Sequence, residues 1–127
     1  MSASFRLRSV VLGSPAPREL AAFYRRMLGG DIVDDEQDWV VLAAPGGGRL
    51  AFQLEEDHVR PSWPARPGDQ QMQVHLDISV GDLADAVAHA TACGAAEASW
   101  QPQDDVRVML DPEGHPFCLF VDDRLAS

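Results

Sequence analysis

Residues 72–94 read MQVHLDISVGDLADAVAHATACG, and the rest of the fold can be built outward from them. Val74, Leu76, Ile78 and Val80 alternate with Gln73, His75, Asp77 and Ser79. A period of two is that of a strand with one apolar and one polar face, so Met72 to Val80 is expected to be a strand. Asp82 is an N-cap, a helix follows to Ala92, and Gly94 stops it. The apolar strand face must lie under a helix, which leaves His75 and Asp77 on the opposite face.

The same order occurs earlier in the chain. Phe5 to Gly13 reads as a strand, and Ser14-Pro15-Ala16-Pro17 breaks it and opens a helix. Leu20, Phe23, Tyr24, Met27 and Leu28 form one apolar helical face that ends at Gly29-Gly30. Strands are expected from Ile32-Val33, over Trp39 to Ala43, and over Arg49 to Glu55 after the glycine turn at Pro45 to Gly48. Asp57 to Gln71 holds three prolines and a glycine and reads as a linker. Beyond the second helix, Glu97 to Gln101, Val106 to Leu110 and Pro116 to Val121 are strands, the last two joined by the turn Asp111-Pro112-Glu113-Gly114. The expectation is a single α+β domain over 1–127. Two βαβββ modules, 5–56 and 72–123, joined by a linker at 57–71, would form curled mixed sheets around a central cleft with the helices outside.

Alternation also assigns residues to that cleft: Ser9 and Val11, Trp39, Val41 and Ala43, Ala51, Gln53 and Glu55, His75 and Asp77, Arg107 and Met109, and Cys118 and Phe120. The alternative is that these faces meet water. A carboxylate such as Asp77 can orient an imidazole, making His75 a candidate general base. Neighbours on one strand face are about 7 Å apart, so sequence does not dictate their contact. Arg107 would meet an anionic substrate group or pair with Asp77 or Glu55. Trp39, Trp63 and Trp100 could rim the cleft and favour a flat apolar ligand, or close local core edges.

Composition narrows the partners. The 127 residues carry 20 acids and 10 bases, a formal charge of −10, which disfavours nucleic acid and anionic membrane. No apolar run approaches the roughly 20 residues that span a bilayer. The first eight residues lack a signal-peptide core, and Cys93 and Cys118 are far apart. A cytoplasmic chain without a disulfide is expected.

Two stretches then carry a family resemblance. Leu20-Ala21-Ala22-Phe23-Tyr24-Arg25-Arg26-Met27-Leu28-Gly29 follows the first strand, and Asp111-Pro112-Glu113-Gly114-His115-Pro116-Phe117-Cys118-Leu119 leads into the last. With His75 to Leu83 and Gly94-Ala95 between them, the chain resembles the vicinal-oxygen-chelate superfamily of glyoxalase and bleomycin-resistance domains. The resemblance implies four metal-ligand positions, falling on Ser9, Gln53 (or Ala51), His75 and Cys118. Only His75 is the residue expected there. The resemblance also implies a homodimer and a small-molecule ligand.

Two functions are expected from this. The first is a small-molecule-binding protein of the glyoxalase and bleomycin-resistance type without a complete metal site and without a dedicated cofactor. The second is a lyase- or isomerase-like enzyme with His75 as base, with or without a divalent metal for which His75, Gln53 and Cys118 are the candidate ligands.

Overall fold

The computed structural model describes residues 3–122. They form two compact units that meet in sequence at His58 and Val59. The first runs β1 (Val10–Ser14), α1 (Pro17–Leu28), β2 (Asp31–Glu36), β3 (Trp39–Ala43) and β4 (Arg49–Leu54). The second runs β5 (Leu76–Val80), α2 (Leu83–Cys93), β6 (Ala96–Glu97), β7 (Val106–Leu110) and β8 (Pro116–Val121). Each unit holds one four-stranded mixed sheet, in the order β1-β4-β3-β2 and β5-β8-β7-β6. The first strand of each unit pairs parallel with its last, and the remaining pairs are antiparallel. The α+β class and the two βαβββ modules are therefore present as the sequence predicts.

In the first unit α1 packs on β3 and β4. Leu20, Phe23 and Tyr24 are buried with Leu12, Val40, Leu42, Leu50 and Phe52. Tyr24 stacks on Phe52 with ring centroids 5.6 Å apart, which fixes the helix over the sheet through large apolar areas. Gly30 has φ +95°, and a Cβ there would collide with the Ala43 carbonyl oxygen, so the turn out of α1 requires glycine. In the second unit Asp82 caps α2 by accepting from the Asp85 backbone N–H at 2.8 Å. Phe117, Leu119 and Met109 are buried on the helix side.

Several boundaries differ from the sequence reading. The first strand begins at Val10 rather than Phe5, because its ladder with β4 pairs only Val10–Ser14 with Leu50–Leu54. Phe5 and Leu7 are exposed. The fifth strand begins at Leu76 rather than Met72, because β8 supplies partners only from Phe117 onward. The expected strand Glu97 to Gln101 is two residues long. There the Gln101 side chain replaces a backbone partner: its Nε2 donates to the Val108 carbonyl at 2.8 Å, and its Oε1 accepts from the Val108 N–H at 2.9 Å. The proline-rich segment read as a linker from 57 lies, from Val59 on, within the second unit.

The turn before β8 is organised by a buried carboxylate. Asp111 Oδ1 accepts from the Glu113 N–H at 2.8 Å and the His115 N–H at 3.0 Å, while Gly114 takes φ +86°. Orphaning buried N–H groups costs about 1–3 kcal/mol. Asp111→Ala is therefore expected to lower unfolding free energy by about that amount in urea denaturation. Asp111→Asn keeps an acceptor oxygen and should lose clearly less.

Candidate functional site

The parallel β5–β8 pairing sets Asp77 opposite Cys118 and Ser79 opposite Phe120. Antiparallel pairing then sets Val108 opposite Cys118 and Val106 opposite Phe120. Side chains on directly paired residues share a face, so Asp77, Cys118, Phe120, Val106 and Val108 line one side of the second unit's sheet. They border a hollow of about 620 Å³, together with Trp63, His75, Trp100, Pro102, Gln103, Asp105 and Val121. That volume lies within the range of small-molecule sites.

His75 sits immediately before β5, and its Nε2 lies 3.3 Å from Asp77 Oδ1. The two are thus in direct contact, closer than the strand repeat alone requires. The indole of Trp63 stacks on the imidazole with centroids 4.7 Å apart and planes 27° apart. Trp100 meets Trp63 edge-on at 5.0 Å. Gln101 holds the chain beside Trp100 through its bonds to Val108 and to the Ala98 carbonyl at 2.8 Å. The hollow thus has an aromatic corner and a polar floor of imidazole, carboxylate and thiol.

Two expected members face the other way. Arg107 pairs with Leu119 and Met109 with Phe117, which puts both on the helix side of the sheet. Met109 is fully buried there, and Arg107 lies 3.5 Å from Glu97 rather than near Asp77 or Glu55. Its guanidinium also donates to the carbonyls of Asp104 and Val106 at 3.0 Å. The antiparallel register with β8 decides this: it takes Val108, not Arg107 or Met109, to the Cys118 face. The sequence of β7, Val-Arg-Val-Met-Leu, offers apolar residues to either face and so did not settle the choice.

In the first unit Ser9, Trp39 and Val41 come together with Arg8, Val33, Asp34 and Arg49 around a hollow of about 390 Å³. Gln53 shares that sheet face, opposite Trp39 in β4, and its amide donates to Glu55 Oε1 at 2.8 Å. Trp63 and Trp100 were legible only as aromatics of uncertain side, and Gln103, Asp105, Val106 and Val108 were not marked at all. All four lie in or after a loop whose path no periodicity describes.

The four positions at which the resemblance implies metal ligands supply a hydroxyl at Ser9, a neutral amide at Gln53, an imidazole at His75 and a thiol at Cys118. Arg8 and Arg49 border Ser9's hollow with their positive charge. Hard divalent ions require oxygen donors, preferably charged, and this set contains no carboxylate. These four residues do not fit a magnesium-, manganese- or nickel-type site.

Burial, and secondarily the Asp77 charge, push the Cys118 thiol above its ordinary value of 9.0. At neutral pH it is a protonated, weakly nucleophilic thiol. The native state keeps this proton at pH values where the unfolded chain releases it. The resulting stability is present in full below 9.0 and drains away as pH rises toward the native value. Between roughly pH 8 and pH 10, urea midpoints of the native chain are expected to fall more steeply than those of Cys118→Ala.

Comparison with known proteins agrees with this architecture. The family model described as "Glyoxalase-like domain" matches residues 9–120. No curated protein matches the chain. Among solved structures, a glyoxalase/bleomycin resistance protein/dioxygenase family enzyme from Burkholderia phytofirmans PsJN superposes with TM-score 0.68 at 18% identity, covering 89% of this chain and 95% of that one. The genomically encoded fosfomycin resistance protein of Listeria monocytogenes gives 0.69 at 10% identity, covering 94% and 95%. A lactoylglutathione lyase from Agrobacterium tumefaciens gives 0.62 at 15% identity, covering 96% and 97%. At such identities these likenesses establish the fold, and the family match extends over nearly all of the strands and both helices. The chain belongs to the glyoxalase-like domain family.

Proposed function

We propose that this protein binds a small, flat, partly aromatic molecule in the hollow of its second unit. The observation that carries the reading is the corner made by Trp63, Trp100 and His75, with rings 4.7 and 5.0 Å apart beside a hollow of about 620 Å³. Aromatic faces offer large apolar area at little entropic cost, and the polar floor of His75 and Asp77 gives a ligand orientation. Two structural neighbours carry names built on small organic molecules, fosfomycin and lactoylglutathione, which supports a small-molecule partner. The same reading retains the expected homodimer, for which sedimentation at micromolar concentration should return twice the 13.8 kDa chain mass.

The test uses the protein's own fluorescence. In a Trp39→Phe background the remaining indoles, Trp63 and Trp100, both border the hollow. A panel of planar aromatic compounds is expected to give saturable quenching. Trp63→Ala should weaken binding about tenfold, or on the order of 1.4 kcal/mol, the worth of one good aromatic contact. No saturable change across the panel, or equal affinity in Trp63→Ala, would sink the reading.

A second reading rests on the 3.3 Å contact between His75 Nε2 and Asp77 Oδ1. A carboxylate that orients an imidazole suits proton abstraction next to a carbonyl, as in a lyase or isomerase. Ligands from the panel that carry such protons should then exchange them with deuterated water, followed by NMR. His75→Ala is expected to slow that exchange by about 10²–10⁴-fold. Exchange at the rate of buffer alone, or unchanged in His75→Ala, leaves binding as the whole function.

A further inference from the structure

The hollow of the second unit is lined by two acids, Asp77 and Asp105, and by no arginine or lysine. Arg107 is the base that could have served it. It is turned to the helix side of the sheet, 3.5 Å from Glu97, and donates to the carbonyls of Asp104 and Val106. We propose that the ligand of this hollow is a flat organic cation whose charge sits on a quaternary nitrogen in its ring. The inference rests on the reading of the hollow as a small-molecule site and names the class of molecule it takes.

The aromatic corner supports a cation over a neutral ring. Trp63 and Trp100 stand with centroids 5.0 Å apart and planes inclined at 63°, so two indoles wall one corner. Indole is the best of the aromatic side chains at holding a cation, because its ring face carries the negative end of the quadrupole. A quaternary nitrogen has no N–H to leave unsatisfied when it quits water, so it enters such a corner at little cost.

Charge balance points the same way. Asp77 Oδ1 lies 3.3 Å from His75 Nε2, so a protonated imidazole would neutralise that one carboxylate. Asp105 remains, and among the described residues it forms no ion pair. The lining is therefore net negative in either protonation state of His75. This is a local property and not a reflection of the whole chain's −10, because the first unit's hollow sets Arg8 and Arg49 against Asp34. A neutral ring would gain apolar contact alone, and an anion would be repelled by the two carboxylates. A cation gains from the walls and the carboxylates together.

The experiment compares three probes of one shape by equilibrium dialysis against the full chain near neutral pH: N-methylquinolinium, uncharged quinoline and quinoline-2-carboxylate. The cation is expected to bind at least about tenfold more tightly than quinoline, and the anion more weakly than either. The Asp77 side chain is 64% exposed, so water screens it and each carboxylate contributes modestly. Asp77→Asn and Asp105→Asn should each weaken the cation by about three- to tenfold and leave quinoline unchanged. Asp85→Asn removes the same charge from α2, on the opposite side of the sheet, and should leave the cation's affinity as it was. Equal affinity for quinoline and N-methylquinolinium overturns the proposal, as does equal weakening by Asp85→Asn, which would mean attraction to net charge alone. Absence of binding by all three probes overturns it too. Saturable quenching by neutral aromatic compounds then leaves the small-molecule reading standing, whereas its absence removes both.

Discussion

The parallel register between β5 and β8 is the constraint on which the candidate site depends. Phe117 and Leu119 are apolar and must go under α2, so Cys118 and Phe120 go to the opposite face. That choice carries Asp77 to Cys118's side and, through β7, brings Val108 there as well. A slip of one residue would exchange every one of these positions, burying Asp77 beneath a helix without a partner. The cost of such a buried charge is what makes the register unique. A hydrophobic requirement on one face of the sheet thereby sets the chemistry of the other.

Around that rigid sheet, the parts that give the hollow its character come from irregular chain. Trp63 belongs to a segment without regular structure, except for a bridge between Ser62 and Gln71, yet it covers the imidazole of His75. Trp100 lies past the end of β6, where the Gln101 side chain takes over hydrogen bonds that a continuing strand would have made. Side-chain substitution for a backbone partner lets the chain leave the sheet and still satisfy Val108. The aromatic corner is thus held by one stacking contact and one amide. This division of labour, with a sheet fixing the polar groups and loops supplying the apolar ones, is common where function is grafted onto a rigid scaffold.

The two units share topology but not surface chemistry. The first presents Ser9, Trp39 and Val41 with two arginines, and the second presents an imidazole, a carboxylate and a thiol among aromatics. Helix α1 buries large side chains, Leu20, Phe23 and Tyr24, whereas α2 fully buries only Ala90. A duplicated backbone plan tolerates this divergence because each sheet needs only one apolar face. The other face is free to vary with whatever it must bind.

The sequence by itself determined the element order, the duplication and the helix-facing residues. These follow from local rules: period-two alternation in Leu76 to Val80, the Asp82 cap, and the glycines after each helix; Val74, expected on the same helix-facing side, instead lies before β5 and is exposed. It also placed His75, Asp77, Cys118 and Phe120 on one face, because alternation within a strand needs no knowledge of the partner. It misassigned Arg107 and Met109, since β7 is apolar enough on both faces that only pairing with β8 decides which side looks inward. Tertiary structure alone brought Trp63 from a proline-rich segment onto His75 and closed the gap between His75 and Asp77 to 3.3 Å. No periodicity encodes those contacts: they arise where a loop returns to a sheet, and the return path is set by packing and hydrogen bonding across many residues.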